Sequence, residues 1–181
     1  DVEALGEAAV TRFGTPHFVF NNAGVGAGGL IWEHSLKDWE WVVGVNLMGV
    51  AHGVRVFTPL MLAAARSDPG YHGHIVNTAS MAGLLNAPNM GVYNVTKHAV
   101  VSMSETLFQD LALVTDQVHA HVLCPFFVPT GIHHSERNRP RISPAARAVN
   151  VTASTCDGLT CPESIRWAIR RVIVRVLPVP A

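Results

Sequence analysis

An α/β fold, a parallel sheet with flanking helices, is what the sequence predicts, and three observations carry the expectation. Short apolar runs alternate with longer segments of helical periodicity along the 181 residues, the pattern of strands joined by right-handed crossovers. Apolar residues make up 49% of the chain and charged residues 14%, which suits strands buried in a parallel sheet rather than a disordered chain. The length suits one domain with a substantial core.

Each element has its own signal. Val2, Leu5, Ala9 and Phe13 recur at helical spacing, so the chain opens inside a helix. Gly14-Thr15-Pro16 ends it, and residues 17–22 form a short apolar strand. Ser35 is a predicted N-cap with Asp38 at the third helical position, and the helix then runs through Trp39, Val43, Leu47 and Val50 toward Ala65. Pro59 inside it should kink or break it. Residues 66–73 are a polar loop, 74–78 a strand, 93–114 a long helix and 118–123 a strand ending at Pro125. Residues 130–162 are polar and irregular, 163–171 read as helix and 172–177 as strand.

The chemistry concentrates in one trio. Tyr93 and Lys97 stand four residues apart, thirteen residues after Ser80. Four residues is just over one helical turn, so a phenol and an ammonium share one face. A free tyrosine titrates near pH 10. A cation held close favours the phenolate and should pull that value down, giving a general acid/base for a substrate oxygen. Ser80, at the end of an apolar strand, can hydrogen-bond the same oxygen. Ligands of open parallel sheets sit outside the carboxyl ends of the strands. Asn22–Gly24, Ser80 and Pro125–Thr130 all fall at such ends, so three loops distant in sequence should converge on one crevice.

Asn21-Asn22-Ala23-Gly24, Asn46 within Val45-Asn46-Leu47-Met48-Gly49, Ser80, and the Tyr93/Lys97 pair together resemble the short-chain dehydrogenase/reductase family, in its order and at close to its spacing. The tyrosine–lysine spacing alone is weak, whereas four elements in order are specific. The resemblance covers essentially the whole chain. It implies a Rossmann-like sheet, NAD or NADP as cofactor, and a hydride passed between the nicotinamide and a secondary alcohol or carbonyl. It also implies the catalytic roles. Tyr93 would give or take the proton. Lys97 would lower the tyrosine's pKa and bond the nicotinamide ribose. Ser80 would polarise the carbonyl, and Asn46 would interrupt its helix and hold a water linking Lys97 to solvent. Asn22, Ala23 and Gly24 would line the adenosine side, and Pro125, Val128 and Thr130 the nicotinamide side. One departure stands out: Phe126 follows Pro125 where the family usually has glycine, so the loop should be shaped differently.

The family begins with a strand, a glycine-rich turn and a helix that hold the cofactor pyrophosphate. No GxxxGxG run precedes Asn21, and Gly24-Val25-Gly26-Ala27-Gly28-Gly29 follows its strand instead of opening the fold. The expectation is therefore a fragment: residues 1–181 as a single partial dinucleotide-binding and catalytic domain, with the first βαβαβ portion absent. A βαβ unit needs ~30 residues, so about 70 are expected to be missing ahead of Asp1, and the carboxyl end reads as clipped too.

Other classes recede. Formal net charge is zero with no basic tract, which argues against nucleic acid or anionic membrane as partner. No apolar stretch is expected to reach the ~20 residues that span a bilayer. Three cysteines without a CxxC pair favour a reduced, cytoplasmic setting. The ten histidines include the pairs His72/His74, His119/His121 and His133/His134, but no nearby Cys or carboxylate completes a ligand set, so no metal is expected. Trp32, Trp39 and Trp41 read as core or subunit contacts.

A hydrophobic substrate is favoured by the apolar segment 83–90 (Leu84, Leu85, Ala87, Met90), with residues 130–162 as a substrate lid. Apolar residues on more than one face of the two long helices (Val42, Val43, Val45, Leu47; Val100, Val101, Leu107, Phe108) suit the homodimer or homotetramer that the resemblance implies. Two alternatives remain: an epimerase or dehydratase of the same family working by transient oxidation, and a non-catalytic cofactor-binding protein.

Overall fold

The computed structural model of the chain describes residues 2–139 and 173–175. Helix α1 (Val2–Phe13) leads into strand β1 (Phe18–Asn21). A long helical run follows as α2 (Leu36–Val43), a π-helical turn (Gly44–Met48) and α3 (Gly49–Ser67). Strand β2 (Gly73–Thr78), a short turn (Met81–Gly83), helix α4 (Gly91–Ala112) and strand β3 (Val118–Cys124) come next. A 3₁₀ run covers Gly131–Asn138, and β4 is Ile173–Arg175.

The sheet order is β1-β2-β3-β4. The first three strands are parallel, with Val19 beside Ile75 and Ile75 beside Ala120. Strand β4 departs from the expected parallel array. It runs antiparallel to β3, pairing Val122 with Arg175 and Cys124 with Ile173. Three residues on one edge can pair in either sense, because no second neighbour fixes their direction. The expected helix over 163–171 and the lid residues 140–162 lie outside the described residues.

One face of the sheet makes the core. Val19, Ile75, Val118 and Ala120 pack with Phe57 and Met61 of α3 and Leu107 and Leu111 of α4. Val122 and Cys124 join Val50, Val100 and Val101 in a neighbouring cluster. The alternate strand residues face the other way, and there Phe18 and Phe20 are exposed. Val42, Val100, Val101 and Leu107 are buried in the chain's own core, so these positions, expected to pair subunits, are already occupied. Trp41 is likewise core, Trp39 packs beside it, and Trp32 is exposed.

The capping expectation holds in full. Ser35 Oγ accepts from the Asp38 amide (3.3 Å), and Asp38 Oδ2 accepts from the Ser35 amide (2.8 Å), a reciprocal capping box. Pro59, by contrast, does not break α3. It lies on the exposed side, while Phe57 and Met61 on the buried side hold the helix to the sheet. The irregularity falls earlier, at Gly44–Met48, bracketed by two glycines of low helix propensity. The run Leu36–Ser67 is also long and apolar enough to cross a membrane by length and composition, contrary to the sequence expectation. Here its apolar stripe lies on the sheet and core.

The turn Met81–Gly83 is pressed onto α4. A side chain at Gly83 would begin 2.6 Å from the Lys97 carbonyl oxygen and 2.9 Å from Val101 Cγ2. Gly83→Ala should therefore destabilise the fold by roughly 1–3 kcal/mol, the usual cost of overpacking. A urea denaturation midpoint that stays put would show the turn free to lift off the helix.

Candidate active site

Three strand ends meet as expected. Asn22, after β1, accepts a hydrogen bond from Thr78 Oγ1 at the end of β2 (2.9 Å). The Met81 amide, after β2, donates to the Pro125 carbonyl after β3 (2.9 Å). Lys97 reaches across from α4 and donates from Nζ to the Thr78 carbonyl (2.9 Å). A side chain at Gly24 would begin 3.6 Å from both Lys97 Nζ and Asn46 Oδ1, so Gly24, Asn46 and Lys97 share one small space.

Tyr93 and Lys97 sit in the first two turns of α4 and are almost fully buried, at 8% and 3% exposure. The ammonium lies 5.6 Å from the centre of the phenol ring. Ser80, half-buried, caps the turn Met81–Gly83 by accepting from the Ala82 amide (3.2 Å) and hydrogen-bonds the Tyr93 side chain. Ser80, Tyr93 and Lys97 thus lie together as their spacing suggested.

The electrostatics differ from the expectation. Burial raises the Tyr93 pKa above the usual value, and the Ser80 hydrogen bond only partly opposes it. Burial also lowers the Lys97 pKa, to about 8, with Cys124 acting weakly the other way. In this geometry desolvation of the phenol outweighs any pull from the ammonium, which lies 5.6 Å from the ring centre.

Asn46 sits in the π-helical turn and is fully buried. Its Oδ1 accepts from the Val25 amide (2.8 Å), and its Nδ2 donates to the Val25 carbonyl (2.9 Å) and to Thr96 Oγ1 (3.2 Å). Asn46 is therefore a clamp on the segment after Gly24. Thr96 in turn donates to the Tyr93 carbonyl (2.9 Å), tying the clamp to the first turns of α4.

The remaining predicted contacts are looser. Asn22 and Ala23 are exposed, and so are Val128 and Thr130. Phe126, in the place of the family's usual glycine, is 40% exposed. Thr130 caps the 3₁₀ run, its Oγ1 accepting from the Ile132 amide.

The structure adds a buried polar ladder that motif spacing missed. Asn21 Nδ2 donates to Asn77 Oδ1 (2.8 Å), Asn77 Nδ2 to Ser104 Oγ (2.9 Å), and Ser104 Oγ to the Val100 carbonyl (2.7 Å). It locks β1, β2 and α4 in register beneath the site. The available signal was Asn77, a polar residue inside an otherwise apolar strand. The histidines also gather, on the sheet face away from the core. His74 Nδ1 and His121 Nε2 lie 3.0 Å apart, and His74 stacks with His119. Burial and neighbouring imidazoles lower the pKa of His74 and of His121.

The short chain dehydrogenase profile matches residues 1–141. The chain belongs to the short-chain dehydrogenase family. A CLA biosynthesis dehydrogenase/reductase of Lactiplantibacillus plantarum is 37% identical over 134 residues, 74% of this chain and 45% of that protein. A cyclohexanol dehydrogenase of an Acinetobacter species is 36% identical over 123 residues, 66% of this chain and 47% of that protein. Among solved structures, a short chain dehydrogenase/reductase from Burkholderia phymatum in complex with NAD superposes with a TM-score of 0.77 at 50% identity, over 93% of this chain and 57% of that one. The chain spans about half the length of the curated relatives it matches.

Proposed function

We propose that this chain is the catalytic portion of an NAD- or NADP-dependent oxidoreductase acting on a hydrophobic secondary alcohol or its ketone. The observation that carries the reading is the grouping of half-buried Ser80 with buried Tyr93 and Lys97 at the carboxyl ends of parallel strands. The donor set fits a nicotinamide nucleoside. Lys97 carries three ammonium hydrogens and gives one to Thr78, so it can bond ribose hydroxyls, and the small space at Gly24 admits a close approach. Asn22, Ala23 and Gly24 would line the adenosine side, with Pro125, Val128 and Thr130 toward the carboxamide. The described residues include no glycine-rich turn ahead of β1 to cradle a pyrophosphate.

Bound there, the nicotinamide would supply the hydride acceptor or donor. The chain's own residues manage the proton. With its pKa raised, Tyr93 stands as a neutral phenol at neutral pH, the form that protonates a substrate oxygen during reduction. Ser80 is placed to hold that oxygen, and Asn46 through Thr96 steadies the Tyr93 backbone. Leu84, Leu85 and Met90, in the loop between Ser80 and Tyr93, favour an apolar substrate. A cytoplasmic setting is in keeping with the buried Cys124, whose sulfur is in no disulfide. Subunit pairing through the long helices would use the outward-facing Met48 and Val95 in place of the buried positions.

The test is absorbance at the reduced-nicotinamide band with the whole protein, NADH or NADPH, and a panel of cyclic and aromatic ketones. A signal that falls with ketone supports the reading. Conversion of substrate with no net absorbance change points to the epimerase or dehydratase class. Cofactor binding with no conversion of any ketone or alcohol would leave the non-catalytic binder.

A further inference from the structure

We infer that Arg139 and Asp38 form a latch that ties a strap, residues 130–139, across the mouth of the crevice above Ser80 and Tyr93. The consequence for turnover rests on the oxidoreductase reading, while the latch is defined by contacts alone.

The path of the strap follows from topology. The chain leaves β3 at Pro125, whose carbonyl is held by the Met81 amide. Ten residues later the buried Ser135 meets the segment beyond β1, where the Gly26 amide donates to Ser135 Oγ (2.9 Å). Strand β2 lies between β1 and β3, and neighbouring strands are about 4.8 Å apart. A connection from the end of β3 to the segment beyond β1 must therefore pass the end of β2, which is where Ser80 stands.

Two anchors hold the strap down. At Gly26 the fit is close, since a side chain there would begin 3.6 Å from the Ile132 carbonyl oxygen, and Ser135 Oγ also donates to that carbonyl. At the far end the Arg139 guanidinium pairs with Asp38 Oδ1 and lies 5.7 Å above the Trp41 ring. The Asp38 side chain is 5% exposed and that of Arg139 23%, so the pair is shielded from solvent and salt. Asp38 divides its carboxylate: Oδ2 serves the cap of α2 through the Ser35 amide and hydroxyl, and Oδ1 serves the strap. The Arg139 contact to Glu136, at 3.2 Å within the strap itself, adds no tether to the body of the protein.

Residues 126–134 bridge between the Pro125 and Ser135 anchors. Freeing the Arg139 end would open the mouth, so the latch sets how often substrate can enter or leave. Arg139 and Asp38 are positioning residues that act through the strap.

The measurement is amide hydrogen exchange by NMR on the whole protein, comparing Gly26 with the Ile75 amide in β2 as an internal standard. Arg139→Gln and Asp38→Asn should each speed Gly26 exchange about ten-fold or more by raising local opening, with Ile75 unchanged. Because the two groups act as one device, the double variant should be no faster than either single. Arg139→Lys, which keeps the charge but loses the planar stack on Trp41, should recover part of the protection. Unchanged Gly26 exchange in Arg139→Gln, additive effects in the double variant, or parallel acceleration of Ile75 would each overturn the latch. None of these outcomes reads turnover, so failure of the latch and failure of the oxidoreductase reading are separable.

Discussion

Tyr93→Phe is expected to lower turnover by about 10²–10⁴-fold, the range a positioned general acid or base contributes, while leaving cofactor affinity nearly unchanged. The ring itself, projecting from α4, is only 8% exposed, and phenylalanine preserves its packing. What disappears is the hydroxyl, together with its hydrogen bond to Ser80. The decisive comparison is turnover against cofactor dissociation in the whole protein. A variant with full activity would remove Tyr93 from the mechanism. The pH profile gives a second reading. Reduction needs the phenol, whose pKa is raised by burial, so its rate should not fall through neutral pH on that account. Lys97 titrates first, near pH 8, and loss of its charge should weaken reduction above that point.

Much of this arrangement was legible because it is local or periodic. The capping box at Ser35 and Asp38, the strands around Ile75 and Ala120, and the helix bearing Tyr93 and Lys97 all follow from residue types at fixed offsets. Convergence of Gly24, Ser80 and Pro125 followed from a rule about strand ends. Three features were not legible, each for a physical reason. The sign of the Tyr93 shift depends on how completely the phenol is desolvated, a property of packing that spacing does not encode. Pro59 was tolerated because it falls on the solvent side of α3, and that requires knowing which face meets the sheet. Asp38 has a second partner, Arg139, about a hundred residues away in sequence, and no local pattern announces such a pair. Asn46 shows the mixed case: its position was readable from Val45-Asn46-Leu47-Met48-Gly49, but its grip on both polar groups of Val25 emerges only when the loop folds back.

Lys97→Met should remove activity yet stabilise the cofactor-free fold at neutral pH by roughly 1–2 kcal/mol. The native protein holds this ammonium at a pKa of about 8 in place of 10.5, chiefly through burial. That difference corresponds to a penalty on the order of 3 kcal/mol for keeping the charge inside at pH 7. Loss of the hydrogen bond to the Thr78 carbonyl returns part of it, about 1 kcal/mol. The sign of the pH dependence follows from proton counting. Between pH 8 and 10.5 the unfolded chain binds the lysine proton more readily than the native one, so Lys97 makes stability rise with pH in that window. Tyr93 and Tyr71, both raised by burial, act oppositely, their contribution being present below pH 10 and lost as pH climbs through their folded-state values. The native protein should therefore gain about 2 kcal/mol of stability from pH 8 toward 10 and lose stability beyond it, and Lys97→Met should abolish the rise while keeping the fall. Chemical denaturation at closely spaced pH values would decide it. A variant less stable than the native protein at pH 7 would mean that Lys97 holds the end of β2 together more than its burial costs. In that event the lysine would be as much a part of the scaffold as of the chemistry.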